Sequence, residues 1–266
     1  MASMWRRVLL CLTGVLVLVL AAGGMVTAAP PDGAAKGPAP MGKIVSIHYP
    51  RGFEAQGGQP GAPVKPEKPS TATKDWYKYG GIHWAVPDVQ YVVNLGNSGD
   101  SGTYLAAIDA AFQQWEDASA ISFAYPGTTG AVPSSFVGDG TMNEANEVGW
   151  VSISNTFPNA IAVTMTWYDR LTLEIAEVDL AFNADLPWAQ AALGSVDPDT
   201  TKGDPTCYDV QNIATHEAGH WLMLGDLYNK PTGTQTMYGY GALGEVQKRS
   251  LESGDLAGVR AIYPVS

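Results

Sequence analysis

Cysteine, positive charge and long apolar runs are all scarce in this chain. It has two cysteines, Cys11 and Cys207. Arg6 and Arg7 lead into an apolar run over 8–22, followed by small residues up to Ala28. A basic start, an apolar middle and small residues at the end read as a secretory signal over 1–28, with an uncleaved anchor as the alternative. Cleavage after Ala28 removes Cys11, and the single thiol left, Cys207, excludes an intramolecular disulfide. No other stretch is apolar for long enough to span a bilayer, so no membrane contact is expected after signal cleavage. Lysine and arginine total 15 against 26 aspartates and glutamates, a net charge of −11. That balance excludes nucleic acid and anionic membrane surfaces as partners.

Histidine is also scarce, with four in 266 residues, and two of them stand in His216-Glu217-Ala-Gly-His220. Four residues apart on a helix, two imidazoles project from one face about one turn apart and can grip a single Zn²⁺. Glu217, beside the first ligand, is placed to act as general base on a water activated there. With 10 glutamates in the chain, a chance HExxH has a probability of about two in a thousand. Catalytic zinc takes three protein ligands, and Asp226, six residues past His220, is a legitimate third. A helix-end cap or surface carboxylate is the plainer reading of Asp226. A thermolysin-like third ligand at Glu245 or Glu252 is a further alternative, though no second-helix pattern around them supports it.

Around this motif the chain resembles the matrixins, a family of the metzincin clan. His216 to Asp226 matches the clan's zinc motif with aspartate in place of the last histidine, as in the snapalysins. Gln-Thr-Met-Tyr (235–238) resembles the Met-turn, and 251–264 the final helix. Residues 110–123 resemble the first helix and second strand, and 175–183 the strand at the substrate edge. The resemblance implies a secreted zinc endopeptidase with one zinc on His216, His220 and Asp226, Glu217 as base, and Met237 as an apolar floor. It departs at Met223, where the family has glycine; Gly225 is the residue expected to absorb the bend. The family's propeptide cysteine is missing, since residues 29–82 contain none. Its second zinc is not expected, because no histidine lies between Trp84 and Thr215.

Residues 29–75 are rich in proline, glycine, alanine and lysine, a composition expected to bury too little apolar surface to fold. They are expected to form a linker or propeptide reaching to 80, with one domain over 81–266. Strands are expected at 89–95, 121–125, 148–153, 161–168 and 176–183. The last of these is the candidate edge for an extended peptide. Apolar residues from Tyr104 to Trp115 recur at helical spacing as a core stripe. Asp209 reads as the N-cap of a helix over 210–222, and Ser253 as the cap of a last helix stopped by Pro264.

The expected fold is α+β, a zincin-like single domain whose twisted mixed sheet packs on helices, with zinc helix, Met-turn and C-terminal helix. Tyr238 and Tyr240 are expected to pack rather than to bind. Asp197, Asp199 and Asp204 read as a solvated loop, with Ca²⁺ as the alternative ligand. A monomer acting on protein or peptide is the expectation. The rival is a secreted zincin-fold binding or adhesion module without proteolysis.

Overall fold

The computed structural model describes residues 40–53, 76–100, 102–191 and 203–265. The signal segment, residues 54–75, Asp197 and Asp199 lie outside the described residues. Seven strands form one mixed sheet. They are β1 (Met41–Pro50), β2 (Asp88–Asn94), β3 (Ser122–Thr128), β4 (Glu147–Val151), β5 (Ala162–Asp169), β6 (Ile175–Asn183) and β9 (Tyr240–Gly241), in the order β3-β2-β4-β6-β5-β1-β9. Two short strands, β7 (Trp188–Ala189) and β8 (Tyr208–Asp209), pair separately. The helices are α1 (Tyr104–Glu116), α2 (Val210–Trp221) and α3 (Ser253–Ile262). Strands and helices are mixed in one α+β unit, and among the described residues no helix is long and apolar enough to cross a membrane.

Two expectations are corrected here. The sheet does not begin after residue 81. Met41–Pro50, taken from its composition as part of a linker or propeptide, runs antiparallel along β5 through eight register pairs, from Met41↔Asp169 to His48↔Ala162. The local run Lys-Ile-Val-Ser-Ile-His-Tyr is rich in β-branched residues, and strand propensity acts over a handful of residues. Secondly, 176–183 is no edge. β6 lies between β4 and β5 and is paired on both sides. The edge that would be open without β1 belongs to β5.

The helices pack on one face of the sheet. Val178, Leu180 and Phe182 of β6 join one core with Phe112, Trp115, Ile213 and Trp221 of α1 and α2. The α1 stripe is buried as its spacing requires: Tyr104, Ala107, Ile108, Ala111, Phe112 and Trp115. Trp115 Nε1 donates to the Thr215 carbonyl at 2.8 Å and so ties α1 to α2. On the other face Ala181, Val163 and Met165 pack with Ile153 and Ala160.

The polar alternates of β6 on that other face are buried as well. Glu177 and Asp179 are both 0 % exposed and Glu147 3 %. Backbone amides satisfy them, from Asn143 (2.7 Å) and Glu144 to Glu177, from Ser135 (2.9 Å) and Glu147 (3.0 Å) to Asp179, and from Ser134 (2.8 Å) to Glu147. Three carboxylates thus share one buried site. Burial, and then the charge of Asp179, push Glu177 up to about 7, and burial pushes Asp179 up to about 6.

Candidate metal centre

α2 is buried along its whole length. Asp209 caps it as expected, accepting from Asn212 N at 2.9 Å, and Arg249 in turn binds the Asp209 carboxylate. The helix ends at Trp221, with Leu222 as its C-cap. Met223 takes the left-handed conformation, φ 64°, and Leu224 N returns to Gly219 O at 3.0 Å. The bend therefore falls on Met223 itself and not on Gly225. A left-handed residue just past the helix end closes the last carbonyls, a place glycine usually fills. Met223 holds it because its side chain is buried and packs over the bare Cα of Gly80, whose N–H donates to Met223 O at 2.9 Å.

The turn sends the chain back so that Asp226 faces both histidines. Its Oδ1 lies 3.2 Å from His216 Nε2 and 3.4 Å from His220 Nε2. The ligand atoms of His216, His220 and Asp226 lie within 4.8 Å of one another, a grouping that could hold a metal ion. Each imidazole is oriented by a backbone acceptor. His216 Nδ1 pairs with Thr236 O at 2.7 Å, and His220 Nδ1 with Leu224 O at 2.8 Å. With the proton on Nδ1, the Nε2 lone pair is directed at the shared point, the arrangement that metal-binding imidazoles need.

The fit to a cation shows in what is left unsatisfied. His216 Nε2, His220 Nε2, Asp226 Oδ1 and Glu217 Oε1 are buried and have no hydrogen-bond partner among the described residues. Buried polar atoms without hydrogen bonds are costly and rare, and three of these, His216 Nε2, His220 Nε2 and Asp226 Oδ1, come together as an ion-binding donor set, with Glu217 beside His216. The set of two imidazoles and a carboxylate suits zinc.

Glu217 is 0 % exposed and its other oxygen accepts from Thr164 Oγ1 at 2.6 Å. Burial raises its pKa to about 7. Burial lowers His216 to about 4. For His220 burial pulls down, but the Asp226 carboxylate outweighs it and raises the group to about 9, so with no cation present this imidazole is protonated against Asp226, and a metal would take the place of that proton.

Behind the site lies the turn carrying Met237, which is 1 % exposed and touches the space a Cβ at Gly219 would take. Its amide and that of Thr236 donate to Asp255 at 3.1 and 2.8 Å. Asp255 also closes a capping box at the start of α3, accepting from Glu252 N at 2.9 Å. Glu252, not Ser253, is thus the N-cap, and Glu252 faces that box rather than the histidines. Glu245 is held by Arg51, Lys248 and Ala242 N. Tyr238 and Tyr240 are both 7 % exposed and pack with Tyr49.

Two neighbours of the site went unread in the sequence. Tyr228 donates to Asp226 Oδ2 at 3.0 Å. His48, from β1, is 0 % exposed, with its ring centroid 3.9 Å from that of His216 and its Nδ1 3.5 Å from Glu217 Oε1. The ligand atoms of His48, His216 and Glu217 also lie within 4.8 Å of one another. The scarcity of histidine was the signal that could have found it. No protein-family model and no curated protein matches the chain.

Proposed function

We propose that the chain is a secreted zinc endopeptidase of zincin-like fold. The observation that carries the reading is the convergence of His216 Nε2, His220 Nε2 and Asp226 Oδ1, buried and without a hydrogen bond, with a Glu217 oxygen that also lacks one next to His216. His216, His220 and Asp226 would hold the ion and leave a coordination position for water. Zinc bound there supplies Lewis acidity, polarising a carbonyl and bringing the pKa of a water towards neutrality.

Glu217 takes the proton from the attacking water and delivers it to the leaving amine. A carboxylate held in a buried site beside the attacking water can do both. Thr164 holds one Glu217 oxygen and leaves the other for that exchange. Thr236 O and Leu224 O fix the two imidazoles. The rival reading, a metal-holding module without catalysis, gives no work to a buried carboxylate next to the first histidine.

The test is a metal count on the purified protein, with peptide hydrolysis measured before and after chelation and zinc restoration. One zinc per chain and activity that follows the zinc are the expected result. Replacing Glu217 by alanine should keep fold and zinc while lowering hydrolysis by about 10²–10⁴, the usual worth of a positioned general base. Parent-level hydrolysis by that variant would overturn the mechanism.

A further inference from the structure

We propose that Tyr228 is the positioning residue of the metal centre: its phenol engages Asp226 Oδ2 and so confines the aspartate to a single ligating oxygen, Oδ1. This rests on the zinc reading of the site and extends it to how the carboxylate is held. His216 and His220 are each fixed by a carbonyl behind the ring. Asp226 lies past the end of α2, and its side chain is the most exposed of the three, 12 % against 0 % and 2 %.

The two Asp226 oxygens are in different states. Oδ1 is buried without a hydrogen bond among the described residues and faces both histidines, whereas Oδ2 accepts from Tyr228 Oη at 3.0 Å. The local backbone explains the pairing. Leu227 is buried and lies opposite Tyr238 in a parallel bridge. In extended chain alternate side chains share a face, so Asp226 and Tyr228 stand together on the side away from Leu227.

Neither partner is loose. Lys78 Nζ donates to the Asp226 carbonyl at 2.6 Å, Gly225 N to Lys78 O at 2.9 Å, and Leu227 N to Met237 O at 2.8 Å. With the main chain pinned on both sides, rotation of the carboxyl group is the freedom left, and the phenol removes it. The Tyr228 ring lies 5.2 Å from that of Tyr240 and 5.3 Å from the Lys78 ammonium over its face. Gly239 makes room for both partners, since a Cβ there would lie 2.5 Å from Tyr228 Cε1 and 3.0 Å from Asp226 Oδ1.

A carboxylate with two free oxygens can chelate a cation and fill the position that a catalytic zinc leaves open. A donor on Oδ2 prevents this. It also draws negative charge away from Oδ1, so that the aspartate approaches a neutral imidazole in what it offers the ion. A phenol serves at neutral pH because it keeps its proton, its ordinary pKa being about 10. Removing a group that orients a metal ligand typically weakens metal binding about 10–100-fold.

The experiment compares the full chain with Tyr228→Phe, which keeps the ring and loses only the hydroxyl. Zinc affinity is read by competition with a chromogenic chelator, and coordination by the visible absorption of the Co²⁺-substituted protein. Tyr228→Phe should bind zinc about 10–100-fold more weakly, and its cobalt bands should weaken as a second aspartate oxygen raises the coordination number. In an Asp226→His background there is no second oxygen to hold, and the same change should leave zinc affinity within about twofold. Unchanged affinity and cobalt bands in Tyr228→Phe would overturn the proposal and leave the zinc reading standing. An equal loss in the Asp226→His background would also overturn it, making Tyr228 a general support of the turn. A parent chain that binds no zinc would reject the zinc reading and the proposal with it. The expected affinity and cobalt changes, with no peptide hydrolysis by the parent, would uphold the positioning role and reject the peptidase.

Discussion

At the scale of single residues, Met223 weighs two opposing effects. A left-handed conformation costs a residue with a Cβ roughly 1–2 kcal/mol, and glycine would relieve it. Deleting a buried methionine side chain costs about 2–5 kcal/mol, and Met223 is only 6 % exposed. Packing outweighs strain, so Met223→Gly should lower stability by about 1–3 kcal/mol in urea unfolding. A more stable variant would mean that the contact over Gly80 is worth little. Asp226 is argued on chemistry. Its Oδ1 is shared by both histidines, so Asp226→Ala should lose zinc, whereas Asp226→His, with a nitrogen to offer, should retain it. Elemental analysis after dialysis decides, and an alanine variant that still holds one zinc would remove Asp226 from the ligand set.

Among the elements, α2 and the turn behind it act together. Gly219 is helical, and alanine there would gain about 1 kcal/mol of helix propensity. The added methyl would run into Met237 Sδ and lie 2.8 Å from Trp115 Cζ2, and overpacking costs about 1–3 kcal/mol. Gly219→Ala should therefore lower the melting temperature. It should also weaken zinc binding, because Thr236, next to Met237, carries the carbonyl that orients His216. Melts with and without zinc separate the two effects. The elements themselves were largely legible. The α1 stripe, the Asp209 cap and the strands near 89, 148 and 161 follow from periodicity and capping, which are local. β1 was not legible, because its short β-branched run sits inside a segment whose average composition is that of a coil. The role of β6 was misjudged for another reason. Alternation tells which residues share a face, but not whether a neighbouring strand covers the edge or whether backbone amides bury the polar face.

For the whole molecule, the buried acidic site links stability to pH. The protonation midpoint of Glu177 rises from 4.5 to about 7 and that of Asp179 from 3.8 to about 6 on folding, burial being the main cause. The folded chain holds these protons more tightly than the unfolded one. Their contribution is therefore present in acid and is lost as pH rises through about 6 and 7. The melting temperature should fall by a few degrees between weakly acidic and weakly alkaline buffer. Glu177→Gln, which keeps an acceptor and cannot ionise, should flatten that slope, measured by calorimetry across the range. An unchanged slope would place the pH dependence elsewhere.

Asp255 gives the order of synthesis a chemical meaning. The carboxylate that receives the Thr236 and Met237 amides belongs to α3, the last element of the described chain to leave the ribosome. Until it emerges, the Thr236 and Met237 amides lack their acceptor, and the carbonyl that selects the His216 tautomer is held only by the turn's own contacts, such as Leu227 N to Met237 O at 2.8 Å. A nascent chain stalled before residue 255 should thus carry both histidines and Asp226 yet hold metal more weakly, so that metal uptake would report the emergence of α3.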